Sequence, residues 1–161
     1  MSFTPLLASI HRSIERSYEN VDHIDAQALA ELPEEDIVIF DVRESTEYMV
    51  SHMRNAAQIN PGISRADFQT QYGDAIEGKR VVFYCSVGRR SSMLAERVSE
   101  LVVAKTHTRP INLKGGLFNW SNENRVMVAD DETRTDAIHP YNWFWGWLID
   151  NREAIRYGRT N

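Results

Sequence analysis

Two continuous apolar runs constrain the fold of this sequence more than any other feature. Residues 37–40 read IVIF and residues 81–84 read VVFY, and both runs are rich in β-branched and aromatic side chains. Such runs are typical of strands that are buried on both faces of a sheet. Helical patterns lie between and after them, so the sequence predicts an α/β fold in which both runs are central parallel strands.

Weaker patterns predict the remaining elements of a small parallel sheet with helices on both faces. Short strands are expected at residues 21–24, 56–59 and 111–113. Helices are expected at residues 26–32, 44–50 and 65–72, in the segment that follows Cys85, and after Gly115, where the helix contains Trp120.

With 161 residues, the chain is long enough for one domain with its own core. An apolar stripe predicts an N-terminal packing helix in residues 1–20, and the sheet domain is expected over residues 21–128. Residues 129–161 are expected to form a linker and an aromatic C-terminal helix. The aromatic segment 141–148 has two interpretations: it packs on the body or over the pocket, or it forms a homodimer or partner surface.

Composition excludes several classes of function. There are 18 Lys and Arg against 23 Asp and Glu, a formal net charge of −5, which argues against binding to nucleic acid. No stretch has the length of a membrane span or the pattern of a secretory signal, so we expect a cytoplasmic protein. The single cysteine suits a reducing compartment. No His or Cys spacing resembles a metal site, and no metal or cofactor is expected.

Each buried run is followed at once by a charged or reactive residue, Asp41 after the first and Cys85 after the second. Because the carboxyl ends of parallel strands share one edge of a sheet, the two should lie close together. The chain after Cys85 passes from strand to helix, where amide groups, the helix dipole and nearby arginines favour an ionised thiol. The residues expected to surround the sulfur or its donor are Ser86, Val87, Gly88, Arg89, Arg90 and Ser91.

Three blocks of this sequence resemble the rhodanese family. Residues 85–91 match its active-site loop C-x-x-G-x-R-S, and the pattern D-V-R-x-x-x-E-Y-x-x-x-H begins at Asp41. A G-G-x-x-x-W stretch ends at Trp120, and the matches together cover roughly residues 21–121. The resemblance implies a rhodanese-type parallel-sheet domain whose loop cysteine alternates between thiolate and persulfide.

The resemblance also implies an activity. A sulfurtransferase of this family would move sulfane sulfur from a small anionic donor, such as thiosulfate, to a thiol or cyanide acceptor through a Cys85 persulfide. Arg90, with Arg89 or Arg43, is expected to orient the donor through charge-assisted hydrogen bonds.

Further residues are expected to support the site. Asp41 and Arg43 are expected to form a structural ion pair, and Trp120 either lines the pocket mouth or anchors the core. Relatives usually carry G-H-I-P-G-A where this chain has SHMRNA at residues 51–56. Arg54 is therefore expected to bring an extra charge toward the pocket.

Two other functions remain open on the sequence. One is a sulfur-relay or regulatory module that binds a protein partner through the aromatic segment. The other is a phosphatase or arsenate reductase, since related cell-cycle phosphatases use the loop C-x-x-x-x-x-R. Here Arg90 makes the spacing one residue shorter, which favours a ring around one sulfur atom over a cradle for phosphate.

Overall fold

The protein is described by a computed structural model that covers residues 5–142 and 145–157. Residues 1–4, 143–144 and 158–161 lie outside this part of the chain. The start of the predicted packing helix and two residues of the aromatic segment therefore lie outside the described residues.

A five-stranded parallel sheet in the order β1-β5-β4-β2-β3 forms the centre of the fold. Its strands are β1 (Asp22–Ile24), β2 (Ile37–Asp41), β3 (Ala56–Gln58), β4 (Arg80–Tyr84) and β5 (Ile111–Leu113). The two apolar runs form β2 and β4, which pair with each other in the interior of the sheet. The predicted α/β class and the central position of both runs are confirmed.

Six α-helices accompany this sheet in the described residues. They are α1 (Pro5–Ser17), α2 (Ala26–Ala30), α3 (Ser45–Val50), α4 (Arg65–Tyr72), α5 (Arg89–Thr106) and α6 (Gly116–Asn122). Side-chain oxygens of Asp25 and Ser64 accept the hydrogen bonds that begin α2 and α4. Within the described residues, none of the helices is long and apolar enough to cross a membrane.

Alternate residues of β4 enter two separate apolar clusters. Val82 and Tyr84 pack in the cluster that contains Leu117 of α6, whereas Phe83 packs in the cluster that contains Leu94 of α5. Successive side chains of a strand point to opposite faces of a sheet. The two clusters are therefore the two halves of the core, and helices cover the sheet on both faces as predicted.

A small hairpin occupies part of the segment that was predicted to be a linker. Its strands are β6 (Met127–Val128) and β7 (Arg134–Thr135), which pair antiparallel. Val128 also exchanges both backbone hydrogen bonds with His52, at 2.9 Å each, which ties the hairpin to the sheet domain. Strands of two residues are too short to produce a readable periodicity.

The predicted C-terminal helix is, in the described residues, a pair of short 3-10 helices at Trp145–Leu148 and Arg152–Ala154. The side chain of Asn122 explains the interruption. It donates to the carbonyl oxygen of Leu148 at 2.9 Å and accepts from the amide of Asp150 at 2.9 Å. Because the carbonyl of Leu148 and the amide of Asp150 are hydrogen-bonded to a side chain of α6, they are not free to continue a helix.

Candidate active site

Cys85 lies directly after β4, at the carboxyl end of the central strand. The residue is only 1% exposed, and its Sγ accepts a hydrogen bond from the backbone amide of Gly88 at 3.2 Å. A cavity of about 180 Å³ reaches residues 85–91, the sulfur loop. The residues that line it are Cys85, Ser86, Val87, Arg89, Arg90, Tyr141 and Trp145. The thiol is thus placed at a cavity beside an amide donor and is not sealed among side chains alone.

The loop after Cys85 requires a glycine at position 88. Gly88 has φ +102° and immediately precedes α5, so the positive end of this helix faces the loop. A side chain at Gly88 would also place its Cβ 3.0 Å from Nδ2 of Asn112. The positive φ, which glycine adopts readily, turns the Gly88 amide toward the sulfur.

Buried polar groups support the loop from behind. Ser91 Oγ lies 3.5 Å from the sulfur and donates to Oδ1 of Asn112 at 2.6 Å. Asn112 is fully buried in β5, and its Nδ2 lies 3.4 Å from Nδ1 of His23. Burial, with the nearby His11, lowers the pKa of His23 to about 4, so the neutral ring can accept this amide proton. Asn112 was missed on the sequence, although a polar residue in a buried strand is a usable signal.

The turn that begins α6 holds the carbonyl groups of the sulfur loop. The amide of Leu117 donates to the oxygen of Cys85 at 2.8 Å, and the amide of Phe118 donates to that of Ser86 at 3.0 Å. Gly116 lies so close that an added Cβ would be 2.4 Å from the Cys85 oxygen. The glycine pair near Trp120 therefore serves close backbone packing against the loop.

Arg90 is held by a buried carboxylate. Its guanidinium donates to both oxygens of Glu47, at 2.8 and 2.9 Å, and also to Oγ of Ser86 at 3.1 Å. Burial alone would raise the pKa of Glu47, but the hydrogen bond and charge of Arg90, with the charge of Arg43, lower it overall. Glu47 was noted on the sequence only as part of a motif. In the structure, Glu47 is the ion-pair partner of Arg90.

Asp41 and Arg43 form a second buried pair behind the loop. Arg43 donates to both Asp41 oxygens, at 2.8 and 2.6 Å, and to the carbonyl of Ser51 at 2.6 Å. The Tyr84 hydroxyl donates to Asp41 at 2.6 Å and accepts from the amide of Met53 at 3.0 Å. Burial and the Asp41 charge raise the pKa of Tyr84. Because Arg43 is fully buried, its position suits support of the fold and not contact with a donor.

Three other predicted residues have different surroundings. Arg89 is exposed and lines the Cys85 cavity. Arg54 and Trp120 instead line another cavity, between α2, β2 and the hairpin, together with Met53. Trp120 packs in the core, and its indole nitrogen donates to the carbonyl of Val126 at 3.0 Å. The structure therefore does not bring Arg54 or Trp120 to the sulfur.

Aromatic side chains from the C-terminal segment complete the cavity. Tyr141 and the half-buried Trp145 line its mouth, and the guanidinium carbon of Arg90 lies 4.4 Å from the centre of the Tyr141 ring. One of the two interpretations of this segment, that it lies over the pocket, predicts the position of Tyr141 and Trp145. No sequence pattern, however, distinguishes these two cavity-lining residues from Trp147, which is 62% exposed. Among the described residues, no group of three or more His, Cys, Asp or Glu side chains could hold a metal ion.

A family model described as the rhodanese-like domain matches residues 25–123. The chain belongs to the rhodanese-like family. The match includes the sulfur loop, β5 and α6, and it ends before the C-terminal segment that carries Tyr141 and Trp145. The family resemblance predicted from the three motifs is confirmed.

Curated rhodanese-like relatives differ in what they are named for. The thiosulfate sulfurtransferase GlpE of Coxiella burnetii is 30% identical over 103 residues, which cover 64% of this chain and 87% of the relative. The tRNA uridine(34) hydroxylase of Oceanobacillus iheyensis is 31% identical over 100 residues, covering 60% of this chain and 29% of the hydroxylase. The chain thus spans less than a third of that relative's length. At the family level the GlpE relative supports a sulfurtransferase.

Solved structures agree with the rhodanese-like fold. A rhodanese-related protein from Thermoplasma volcanium is 23% identical, with a TM-score of 0.53, and the likeness covers 68% of this chain and 99% of that one. The polysulfide-sulfur transferase homodimer of Wolinella succinogenes is 17% identical, with a TM-score of 0.53, covering 80% and 93%. At these identities the likeness shows the fold alone.

Proposed function

We propose that this protein is a sulfurtransferase that carries sulfane sulfur as a persulfide on Cys85. The observation that carries the proposal is the position of Cys85, which lines a cavity and whose Sγ accepts a hydrogen bond from the Gly88 amide at the N-terminus of α5. An amide donor and a helix dipole at one sulfur stabilise negative charge, and both a thiolate and a persulfide are anions. The GlpE relative supports the same reaction class.

The proposed reaction has two steps. The Cys85 thiolate attacks the outer sulfur of a donor such as thiosulfate, a sulfur–sulfur bond forms at Sγ, and the donor's own sulfur–sulfur bond breaks with release of sulfite. A thiol or cyanide then attacks the outer sulfur of the persulfide and restores the thiolate. A protein thiol is a further acceptor that fits the same chemistry. Both steps conserve charge and need no cofactor.

Arg89 is the better candidate for orienting the donor. Arg90 and Arg43 were expected to contribute, but each donates both of its parallel hydrogen bonds to a buried carboxylate. Arg89 is exposed at the cavity. Its guanidinium is therefore available for a charge-assisted hydrogen bond to an anionic donor.

Mass spectrometry of the intact protein after incubation with thiosulfate tests this proposal. The expected result is one added sulfur atom, which cyanide removes with release of thiocyanate. Because Cys85 is the only cysteine, Cys85→Ser is a complete control and should gain no sulfur. Equal behaviour of the two proteins with every sulfane donor would refute the proposal. Hydrolysis of an aryl phosphate that depends on Cys85 would instead support the phosphatase hypothesis.

A further inference from the structure

We propose that Tyr141 and Trp145 make the Cys85 site selective for organic, monoanionic sulfane donors, such as thiosulfonates, whose apolar part lies between the two rings. This inference rests on the proposed sulfurtransferase function and names its substrate class. The two aromatic residues lie outside the family match at residues 25–123, so the mouth of the cavity is an addition to the rhodanese-like domain.

The aromatic mouth is held in place by contacts of its own backbone. Tyr141 has φ +65°, and its amide donates to Nδ1 of His139 at 3.0 Å. The amide of Trp145 donates to Oδ1 of Asn142 at 3.1 Å. A left-handed conformation is unfavourable for a residue with a side chain, so the surrounding contacts must hold Tyr141 there. The ring is thereby kept over the Arg90 guanidinium, 4.4 Å away.

The charge at the cavity disfavours a second negative charge on the donor. Glu47 compensates Arg90 through two hydrogen bonds. Among the described residues that line the cavity, Arg89 is the remaining cation, and no acidic partner for it occurs in the described part of the chain. Because the Cys85 thiolate already balances the charge of Arg89, a dianion such as thiosulfate would bring one more uncompensated charge into this aromatic cavity than a monoanion does, and desolvation of an uncompensated charge is costly.

The inner and outer parts of the cavity fit the two ends of a thiosulfonate. The outer sulfur meets the Gly88 amide and Sγ of Cys85, while the organic group meets the rings of Tyr141 and Trp145. The Cys85 thiolate forms a bond to that sulfur, the bond between it and the sulfonyl sulfur breaks, and the electron pair leaves with a sulfinate anion. One anion enters and one leaves, and the persulfide keeps the charge of the thiolate.

The role of the Tyr141 and Trp145 rings is tested with two donors that differ only in their organic group, benzenethiosulfonate and methanethiosulfonate. The rate of sulfur addition to Cys85 is measured by rapid quenching and mass spectrometry, and the ratio of the two rates is compared between proteins. The different reactivities of the donors cancel in this comparison. In the double variant Tyr141→Leu with Trp145→Leu, which keeps apolar bulk, the ratio should fall about tenfold, equivalent to about 1.4 kcal/mol of lost stacking.

Two control variants show whether the rings themselves are responsible. Tyr141→Phe retains the ring and should keep the wild-type ratio. Trp147→Ala removes an exposed ring of the same segment that does not line the cavity and should also keep it. A ratio in the double variant within twofold of wild type would overturn the inference while leaving the sulfurtransferase proposal intact. A wild-type protein that takes up no sulfur from any donor would overturn both.

The charge argument has a separate test. Glu47→Gln removes the carboxylate that compensates Arg90 and adds one net positive charge at the cavity. The rate with thiosulfate relative to benzenethiosulfonate should then rise about fivefold, equivalent to about 1 kcal/mol. An unchanged or lower relative rate in the folded variant would contradict selection against dianions.

Discussion

At the scale of single residues, the pair formed by Glu47 and Arg90 determines which charge a donor meets near Cys85. Glu47 is 2% exposed, and its carboxylate is bound by Arg90 and by the hydroxyl of Ser86. It also accepts from the amide of Glu44 at 3.1 Å, so it closes the capping box of α3. One side chain thus joins the start of α3 to the sulfur loop.

Glu47→Gln should reduce the free energy of unfolding by about 2–3 kcal/mol at pH 7, because it leaves a half-buried guanidinium without its counter-charge. Glutamine can still close the capping box, so the loss reports the ion pair. Urea unfolding measures the difference. Glu100→Gln, which removes the exposed partner of Arg65, is the matched control and should cost less than about 1 kcal/mol.

Acidification should remove the difference in unfolding free energy between wild type and Glu47→Gln. Arg90 holds the pKa of Glu47 below 4.5 in the folded protein, so the unfolded chain binds the proton first as pH falls. The stability from this group is complete above pH 4.5 and is lost as pH falls through the folded pKa. Unfolding curves at a series of pH values check this. A difference in unfolding free energy that persists or grows at pH values below the folded pKa of Glu47 would contradict the ion pair with Arg90 as its source.

At the scale of elements, α6 and the sulfur loop are joined by backbone contacts. The first amides of α6 donate to the carbonyl groups of Cys85 and Ser86. Gly116, with φ +59°, permits this close approach of the two backbones. The sequence predicted this helix and its glycine pair, but not that the pair lies against the sulfur loop. That contact joins residues that are far apart in sequence, so only the packing of β5 beside β4 shows it.

Gly116→Ala should therefore displace the loop as well as strain the turn. We expect a loss of about 3 kcal/mol or more in unfolding free energy, since the added Cβ overlaps backbone atoms, and sulfur addition to Cys85 slower by about tenfold or more. Gly78→Ala is the matched control, because Gly78 also has a positive φ but has nothing within 4 Å of an added Cβ. It should cost about 1–2 kcal/mol and leave sulfur addition unchanged. Equal effects of the two variants would contradict the proposed role of the contact.

At the scale of the whole molecule, the C-terminal segment is part of the core as well as of the cavity. Ile138, Leu148 and Ile149 are at most 2% exposed and belong to the cluster on the α6 face of the sheet. The amide of Ile138 donates to the carbonyl of Ala154 at 2.9 Å. The segment therefore packs on the body, although Trp147 and Tyr157 remain 62% exposed. A homodimer through the aromatic segment 141–148 stays a prediction.

Truncation after Ala137 should destabilise the protein by about 5 kcal/mol or more, since each buried aliphatic side chain contributes about 1.5–3 kcal/mol. The melting temperature should fall by about 10 °C or more. Circular dichroism measures the melting, and size-exclusion chromatography with light scattering measures the oligomeric state. A truncated chain with the wild-type melting temperature would contradict the packing, and a loss of dimer mass would support the interface hypothesis.

Local sequence patterns were enough to predict the α/β class, the central place of β2 and β4, and the position of Cys85 after a central strand, because these depend on apolar runs and motif spacing. The contacts between side chains that are distant in sequence depend on the packed fold. Arg90 and Arg89 are neighbours of similar chemistry, and only the fold places Glu47 beside one of them. In the same way, a run of aromatic residues does not show which rings face the cavity, because that depends on where Asn122 holds the backbone of the last segment.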